Sequence, residues 1–275
     1  KLLRNITISS LILLPGLSYV FIEIFFMTLY SEGISNRLIL TAIYSLLFLV
    51  YPVFLLGQTI PLVSNYFSKE RLSEITGRML CFSTCGSFLG AVFATLVLMS
   101  YIGVHNTATI NFVCLFVLAF MLSKKKTSDV MGAMAAILCI AAFINSTSML
   151  ENFNVVSNNK YNMLKIVTDN DGDRHLLMNN SPSSKWGDNR QAYSYVEHIE
   201  ERFLDPIQNT DTPRDIMVIG AGGFTIGMND TVNHYDFIDI DPDLQDVAEK
   251  HLLQEELSEN KVFHAVPARG FLSGT

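Results

Sequence analysis

Four runs of helical character, nearly free of charge, constrain this 275-residue chain more than any other feature. A bilayer core of about 30 Å takes roughly 20 apolar residues, and every backbone polar group inside it must be satisfied by the helix itself. Residues 6–30, 38–66, 79–104 and 107–122 meet that requirement. The second run contains Pro52 and Pro61, so a tilted or kinked helix is expected there. A fifth run, 130–144, is Ala-rich and would be only about 22 Å long as a helix; it falls short of a span and is expected to lie in the interface. The sequence thus predicts a multi-pass α-helical membrane domain over residues 1–147, with four to five helices.

Charge divides the chain in the same place. Residues 1–150 hold 9 Lys/Arg and 5 Asp/Glu, whereas residues 151–275 hold 10 and 21. The whole is 16% charged, against roughly 25% in an ordinary soluble domain, and the deficit belongs to the first half. Two bodies in two solvents are implied. An acidic second half repels phosphate backbones, which excludes nucleic acid as an expected partner. Lys1 and Arg4, then Lys69, Arg71 and Arg78, then Lys124, Lys125 and Lys126 cluster on one side of the expected spans, with only Arg37 opposite. By the positive-inside rule those clusters are cytoplasmic, and four spans leave the acidic domain in the cytoplasm; five would put it outside.

Within the spans, Glu23 is the one ionisable group at membrane depth. It reads either as a proton or cation site or as a structural hydrogen bond to another helix. Cys81, Cys85, Cys114 and Cys139 have no metal-type spacing with histidine and read as small, lipid-compatible side chains. Gly86-Ser-Phe-Leu-Gly90 is a small-xxx-small pattern suited to a close helix contact.

The acidic half is expected to be α/β. Residues 161–168, the turn Asp169-Asn-Asp-Gly-Asp173, and residues 175–178 form a hairpin signal. A polar stretch over 179–188, with the only tryptophan, reads as a loop over a site, and residues 191–204 show helical spacing. Asp215-Ile-Met-Val-Ile219 then reads as a buried strand running into Gly220-Ala-Gly-Gly-Phe-Thr-Ile-Gly227 and an expected helix, followed by a second strand over 235–241. Glycines at 220 and 222 allow a tight turn and close approach to a ligand, and Asp239, 19 residues after Gly220, can accept hydrogen bonds from a ribose diol. Together they mark a nucleoside-binding doubly wound sheet. A helix over 243–254 and a third strand over 261–266 follow. Asp236, Asp241 and Asp243 read as a solvated acidic rim in preference to a metal cluster, and no metal site is expected. The six histidines are scattered, and no Ser/His/Asp or Cys/His arrangement can be assembled from spacing.

These motifs resemble the spermidine synthase (polyamine aminopropyltransferase) family, and more closely its bacterial members fused to a membrane domain. The likeness rests on Gly16 to Glu23, Leu55-Leu-Gly-Gln-Thr-Ile-Pro-Leu62 and Gly77 to Gly90 in the first half. In the second it rests on Lys160-Tyr161-Asn162, Leu177-Met-Asn-Asn, Tyr193-Ser-Tyr195, Val218 to Gly223, Ile238-Asp-Ile-Asp241 and Pro267 to Leu272. The resemblance implies a spermidine-synthase-like domain over 148–275, with a small β part (148–187) and a methyltransferase-like Rossmann part (188–275) that is apparently incomplete. It implies aminopropyl transfer from decarboxylated S-adenosylmethionine, as co-substrate and not as a permanently bound cofactor, to an amine such as putrescine. Carried over by position, Gly220, Gly222 and Gly223 shape the nucleoside turn, Asp239 holds the ribose hydroxyls, and Pro267 and Ala268 flank the adenine. Asn162 stands where a ligand-contacting glutamine is usual, and Tyr195 matches the tyrosine beside the pocket. Val196, Gly223 and Pro267 depart from the family pattern, where a histidine, an acid and an acid are usual, as does Phe224 in place of a third glycine, and the resemblance implies that the family's catalytic Asp lies beyond Thr275.

Three readings follow. One is a membrane-integral enzyme of the bacterial inner membrane acting on a small polyamine, with homo-oligomerisation left open. A second is an inactive nucleoside-binding sensor or scaffold, and a third is a transporter that uses Glu23 and the proline-broken second helix.

Overall fold

The computed structural model describes residues 1–34, 36–64, 72–123, 128–208 and 212–274. The basic positions Lys69, Arg71, Lys124, Lys125 and Lys126, and the end of the second expected span, lie outside the described residues. The chain divides into two compact units, Lys1–Phe153 and Asn154–Thr275. The first extends past the expected boundary at residue 147 because a short helix, Thr147–Glu151, capped by the Ser146 side chain, continues the helical unit.

The first unit begins with α1 (Leu2–Gly16) and α2 (Tyr19–Ser31), which meet at a 67° bend, so the first expected span is a broken pair. Pro15 lies in the last turn of α1, and the Ser18 hydroxyl caps α2 by accepting the Phe21 N–H; a new helix axis starts there. The run Arg37–Ser64 comprises α3 (Arg37–Tyr44), a π-helical stretch (Ser45–Val50), α4 (Tyr51–Gly57) and α5 (Thr59–Ser64). It is about 42 Å long at helical rise, enough to cross a bilayer with tilt. Polar side chains stitch α1 to it. Asn5 Nδ2 donates to Gln58 Oε1 (3.3 Å) and Leu55 O (3.4 Å), Ser9 Oγ donates to Pro52 O (3.1 Å), and Tyr44 Oη donates to Gly16 O (2.5 Å). Such bonds hold helices together where no hydrophobic drive exists between them.

The third and fourth expected spans are not separated by a loop. They form one helical run, Ser73–Leu122, made of α6 (Leu72–Phe93), a π-helical stretch (Ala94–Leu98) and α7 (Met99–Leu122). The run would be about 75 Å long if straight, more than twice a bilayer core. Its one backbone break is Gly103, at φ 81° and ψ 169°, a conformation only glycine adopts without strain. Position 103 therefore interrupts the helix where the sequence placed an inter-span boundary two residues later. Helix α8 (Ser128–Ile144) has 17 residues and is integrated into the helical core: Met134, Ile137 and Ala141 are buried with Ile6, Phe112 and Ala119. Among the described residues two helices are long and apolar enough to cross a membrane, or three if the bent pair α1–α2 counts as one. After α8 comes the short helix α9 (Thr147–Glu151).

The second unit contains two sheets. The first is an antiparallel meander of β1 (Val155–Asn158), β2 (Met163–Thr168), β3 (Arg174–Met178) and β4 (Ser181–Trp186), in that order. The hairpin β2–β3 forms as expected, with Thr168 opposite Arg174 across the Asp169–Asp173 turn. The expected loop over 179–188 is instead strand β4. Its Ser-Pro-Ser-Ser composition has little strand propensity, but Ser184 and Trp186 fall on the buried face beside Leu164 and Leu176, and burial decides. Helix α10 (Ser194–Ile199) continues through a π-helical stretch (Glu200–Leu204) into α11 (Asp205–Gln208).

The second sheet is parallel, β5 (Asp215–Ile219), β6 (His234–Asp239) and β7 (Lys261–Ala265), with β6 in the centre. Helix α12 (Leu244–Val247) and a π-helical stretch (Ala248–Leu253) connect β6 to β7, and α13 (Ala268–Gly274) follows β7. One face of this sheet, with Tyr235, Phe237 and Phe263, joins Leu164, Leu176, Val196, Leu244 and Leu252 in a single core. The other face leaves Met217, Ile219 and Val262 exposed.

Candidate functional site

The C-terminal ends of three parallel strands bring most of the sequence-predicted residues together. Ile219, Ile238 and His264 are in register, as are Asp239 and Ala265, so Gly220, Asp239 and the Pro267-Ala268 pair leave one sheet edge. Ligands of open α/β sheets bind outside that edge. Gly220 (φ 86°) extends the ladder by donating its N–H to Ile238 O at 2.9 Å, and Gly222 (φ 53°) turns the chain back. Asp239 closes the turn: Oδ2 accepts the Ala221 N–H and Oδ1 accepts the Asp241 N–H, both at 3.1 Å. Each oxygen keeps acceptor capacity that a vicinal diol could use.

The expected helix after the glycine turn is absent: residues 220–233 run through turns, bends and irregular backbone. Phe224 is the cause. It takes a left-handed backbone (φ 60°), which no α-helix accommodates, and inserts its ring, fully buried, edge-on to Phe237 (5.1 Å) and Phe263 (5.2 Å). Strand β4 then closes on the turn. Gly223 N–H donates to Ser184 Oγ at 2.8 Å, and a Cβ on Gly223 would stand 2.7 Å from Ser184 Cβ and collide with Leu252. Any side chain at this position would displace Ser184 or Leu252. Farther along, Gly227 N–H donates to Glu200 Oε1 at 2.9 Å, and burial pushes the Glu200 carboxyl above the usual carboxylate range.

Asn162 is engaged. Its Nδ2 donates to Asp241 Oδ2 (2.9 Å) and its Oδ1 accepts from Asn179 Nδ2 (3.0 Å). Asn159 Nδ2 adds bonds to Asp241 Oδ1 (2.7 Å) and Asp243 Oδ2 (2.8 Å), and Ser157 Oγ donates to Asp243 (2.6 Å). The expected solvated rim is therefore wrong for these acids: Asp241 is fully buried, and Asp241 and Asp243 fasten the β1–β2 connection to the end of β6. Asp236 is paired with His264 Nε2 at 2.7 Å on the opposite face. The amide donors come from about 80 residues upstream in sequence, which is why spacing could not reveal them.

Tyr195 is half-exposed and donates to Ser183 O at 2.9 Å, one residue from the Ser184 that holds the turn. It stacks on Tyr193, centroids 6.2 Å apart. Glu23 lies in the other unit, where it accepts a hydrogen bond from Tyr19 one turn earlier on α2. At the α1–α2 bend is a cavity of about 300 Å³ with an almost wholly apolar lining that includes Leu14, Phe21, Ile24 and Ile144.

Sequence reasoning missed one constellation. His175 hydrogen-bonds both Asp169 and Tyr193, and no local pattern marks it because the partners are 6 and 18 residues away across a hairpin and a strand. No protein-family model matches the chain, and neither does any curated protein.

Proposed function

We propose that this chain is a membrane-integral, spermidine-synthase-like protein whose second unit has a Rossmann-type site for decarboxylated S-adenosylmethionine or a related thioadenosine, and transfers its aminopropyl group to an amine such as putrescine. One observation carries the reading: the glycine turn, Asp239 and the Pro267-Ala268 pair emerge side by side at the C-terminal edge of one parallel sheet, with Asp239 bonded to the turn. The missing crossover helix bears on ligand class. A pyrophosphate is ordinarily met by a helix N-terminus after such a turn, and here there is none, so the site suits a nucleoside without phosphate. Gly220 and Gly222 would let the backbone approach the ligand, with Asn162 and Tyr195 flanking it. The membrane is assigned as the bacterial inner membrane, with the second unit on the cytoplasmic side.

A second reading, a nucleoside-binding sensor without catalysis, is favoured by Ser184 occupying the Gly223 N–H. Equilibrium binding of decarboxylated S-adenosylmethionine and of methylthioadenosine to the detergent-purified protein tests both. The wild type is expected to bind, and Asp239→Asn, which keeps one backbone acceptor, to bind at least about tenfold more weakly, equivalent to about 1.4 kcal/mol. Binding that Asp239→Asn and Asp239→Ala leave untouched would sink the site. Binding without transfer to any of several polyamines selects the sensor.

A further inference from the structure

The break in the first apolar run leaves a space at membrane depth. Pro15 has no N–H to give the helix, α1 ends at Gly16, and α2 sets off at 67° from the Ser18 cap. The cavity of about 300 Å³ lies in that corner. Leu14 and Pro15 of α1, Phe21 and Ile24 of α2, and Ile144 and Met149 from the ends of α8 and α9 give it walls from three directions. With Arg4 at the cytoplasmic interface, the end of α1 lies about 18 Å deep in a hydrocarbon core of about 30 Å, so the other face is about 12 Å away.

The lining decides what the cavity can hold. Among the described residues none that lines it is charged, and its one hydroxyl, on the buried Ser18, already accepts the Phe21 N–H. An ammonium, a ribose or a phosphate placed there would leave polar groups unpaired, so neither a polyamine nor a nucleoside suits it. Water does not fill it either, because apolar cavities stay dry and take apolar guests. Well-packed interiors have few voids larger than a water, and this one is about ten times a water's share of the liquid, room for roughly ten methylene groups in file. Ile24 in its wall is half-exposed, so the space opens to the surroundings of the helical unit. Those surroundings are hydrocarbon, and a site fills with what is most concentrated around it. The chains of each leaflet fill about 15 Å, so one anchored at the nearer face reaches the cavity with its head group still in water.

We propose that the cavity at the α1–α2 bend is the seat of one acyl chain of a membrane phospholipid. The chain lies between the bend and the end of α8 and supplies the packing that the broken helix cannot. Its place gives it a further effect. Met149 belongs to α9, and Tyr19, next to the Ser18 cap, packs edge-on against Phe153 (6.4 Å), the last residue of the helical unit. A seated chain therefore completes the packing of the segment through which the polypeptide leaves the helical unit. The proposal rests on membrane insertion alone and stands whether or not the second unit transfers an aminopropyl group.

The test is photolabelling of the full-length protein in vesicles of phosphatidylethanolamine and phosphatidylglycerol that contain a small fraction of phosphatidylethanolamine with a diazirine in one acyl chain. Label is located by mass spectrometry of peptides. Phe21, Ile24, Ile144 and Met149 are expected to carry at least about fivefold more label than Phe82 and Leu96, whose exposed side chains report the bulk lipid. Ile24→Trp and Ile144→Trp fill the cavity from opposite walls, and each should lower label at the remaining cavity residues about fivefold while Phe82 is unchanged. Label at Phe82 is the control on folding and insertion, and a filler that disturbs it is set aside for the other. Label at the cavity no greater than at Phe82, or undiminished in the fillers, would overturn the seat. Label removed by excess unlabelled prenyl alcohol but not by equal excess phospholipid would overturn the acyl chain and give the cavity to an isoprenoid.

Discussion

The two units obey one rule in two solvents. In the helical unit large apolar side chains point outward, Phe82 at 78% exposure among them, while Asn5, Ser9, Ser10 and Thr107 are buried. The second unit reverses this, burying Phe224, Phe237 and Tyr235 and presenting charged side chains such as Asp188 and Asp246 to solvent. In water, burial of apolar area is the drive, at about 25 cal/mol per Å². Against hydrocarbon that drive vanishes, and hydroxyls and amides inside the bundle do the joining. The comparison teaches where a hydrophobic residue must be read as a contact and where as a surface.

The comparison breaks first in the core of the second unit. Phe224→Ala is expected to destabilise that unit by about 3–5 kcal/mol, visible as loss of its thermal transition with the helical unit still folded. Matched surface substitutions sharpen it. Phe82→Asp should cost about 3 kcal/mol in membrane insertion, scored by glycosylation or carbonate extraction, while Phe203→Asp, at 60% exposure in the second unit, should change stability by less than about 0.5 kcal/mol. Equal effects at both positions would remove the two-solvent account.

Buried polar groups make the next contrast. The Asp230 carboxylate would be raised by burial, but bonds from Asn233 Nδ2, the Tyr235 hydroxyl and the N–H groups of Val232 and Asn233 outweigh this and hold it below the usual range. Burial, and then the bond to Asp230 and its negative charge, push the Tyr235 hydroxyl up. Asp230→Ala orphans these donors and should cost about 1–3 kcal/mol, whereas Ser9→Ala, which removes one interhelical bond, should cost about 0.6 kcal/mol. Because the folded Asp230 pKa is depressed, its contribution is complete above the ordinary value near 4 and is lost as pH falls through the folded value. Chemical denaturation between about pH 5 and pH 2 should show that slope in wild type and a shallower one in Asp230→Ala. The smallest effect is chemical. All four cysteines are exposed on helices, and in intact membranes they should resist a water-soluble maleimide that labels them after denaturation.

Legibility followed the range of the forces. Strands β2, β3, β5, β6 and β7 could be read from apolar and β-branched runs beside turn residues, because pattern and burial agree within each segment. Strand β4 could not, since Ser181-Pro-Ser-Ser pairs only because β3 and the core receive Ser184 and Trp186. At the site, the proximity of Gly220 and Asp239 was readable as a motif. The fate of the helix after it was not, because Phe224 turned inward to rings on two other strands. Asp241 looked like surface and is a buried fastener, because its amide partners come from a distant segment.

The bond from Gly223 to Ser184 also sets an order of events. The β1–β4 meander is built from neighbouring hairpins and closes short loops, whereas each pairing of the parallel sheet must first enclose a much longer stretch of chain. The glycine turn can settle only once Ser184 is in place to receive it. The meander is thus a template for the turn, and amides of β2 and β3 should gain protection from exchange during refolding before that of Gly223.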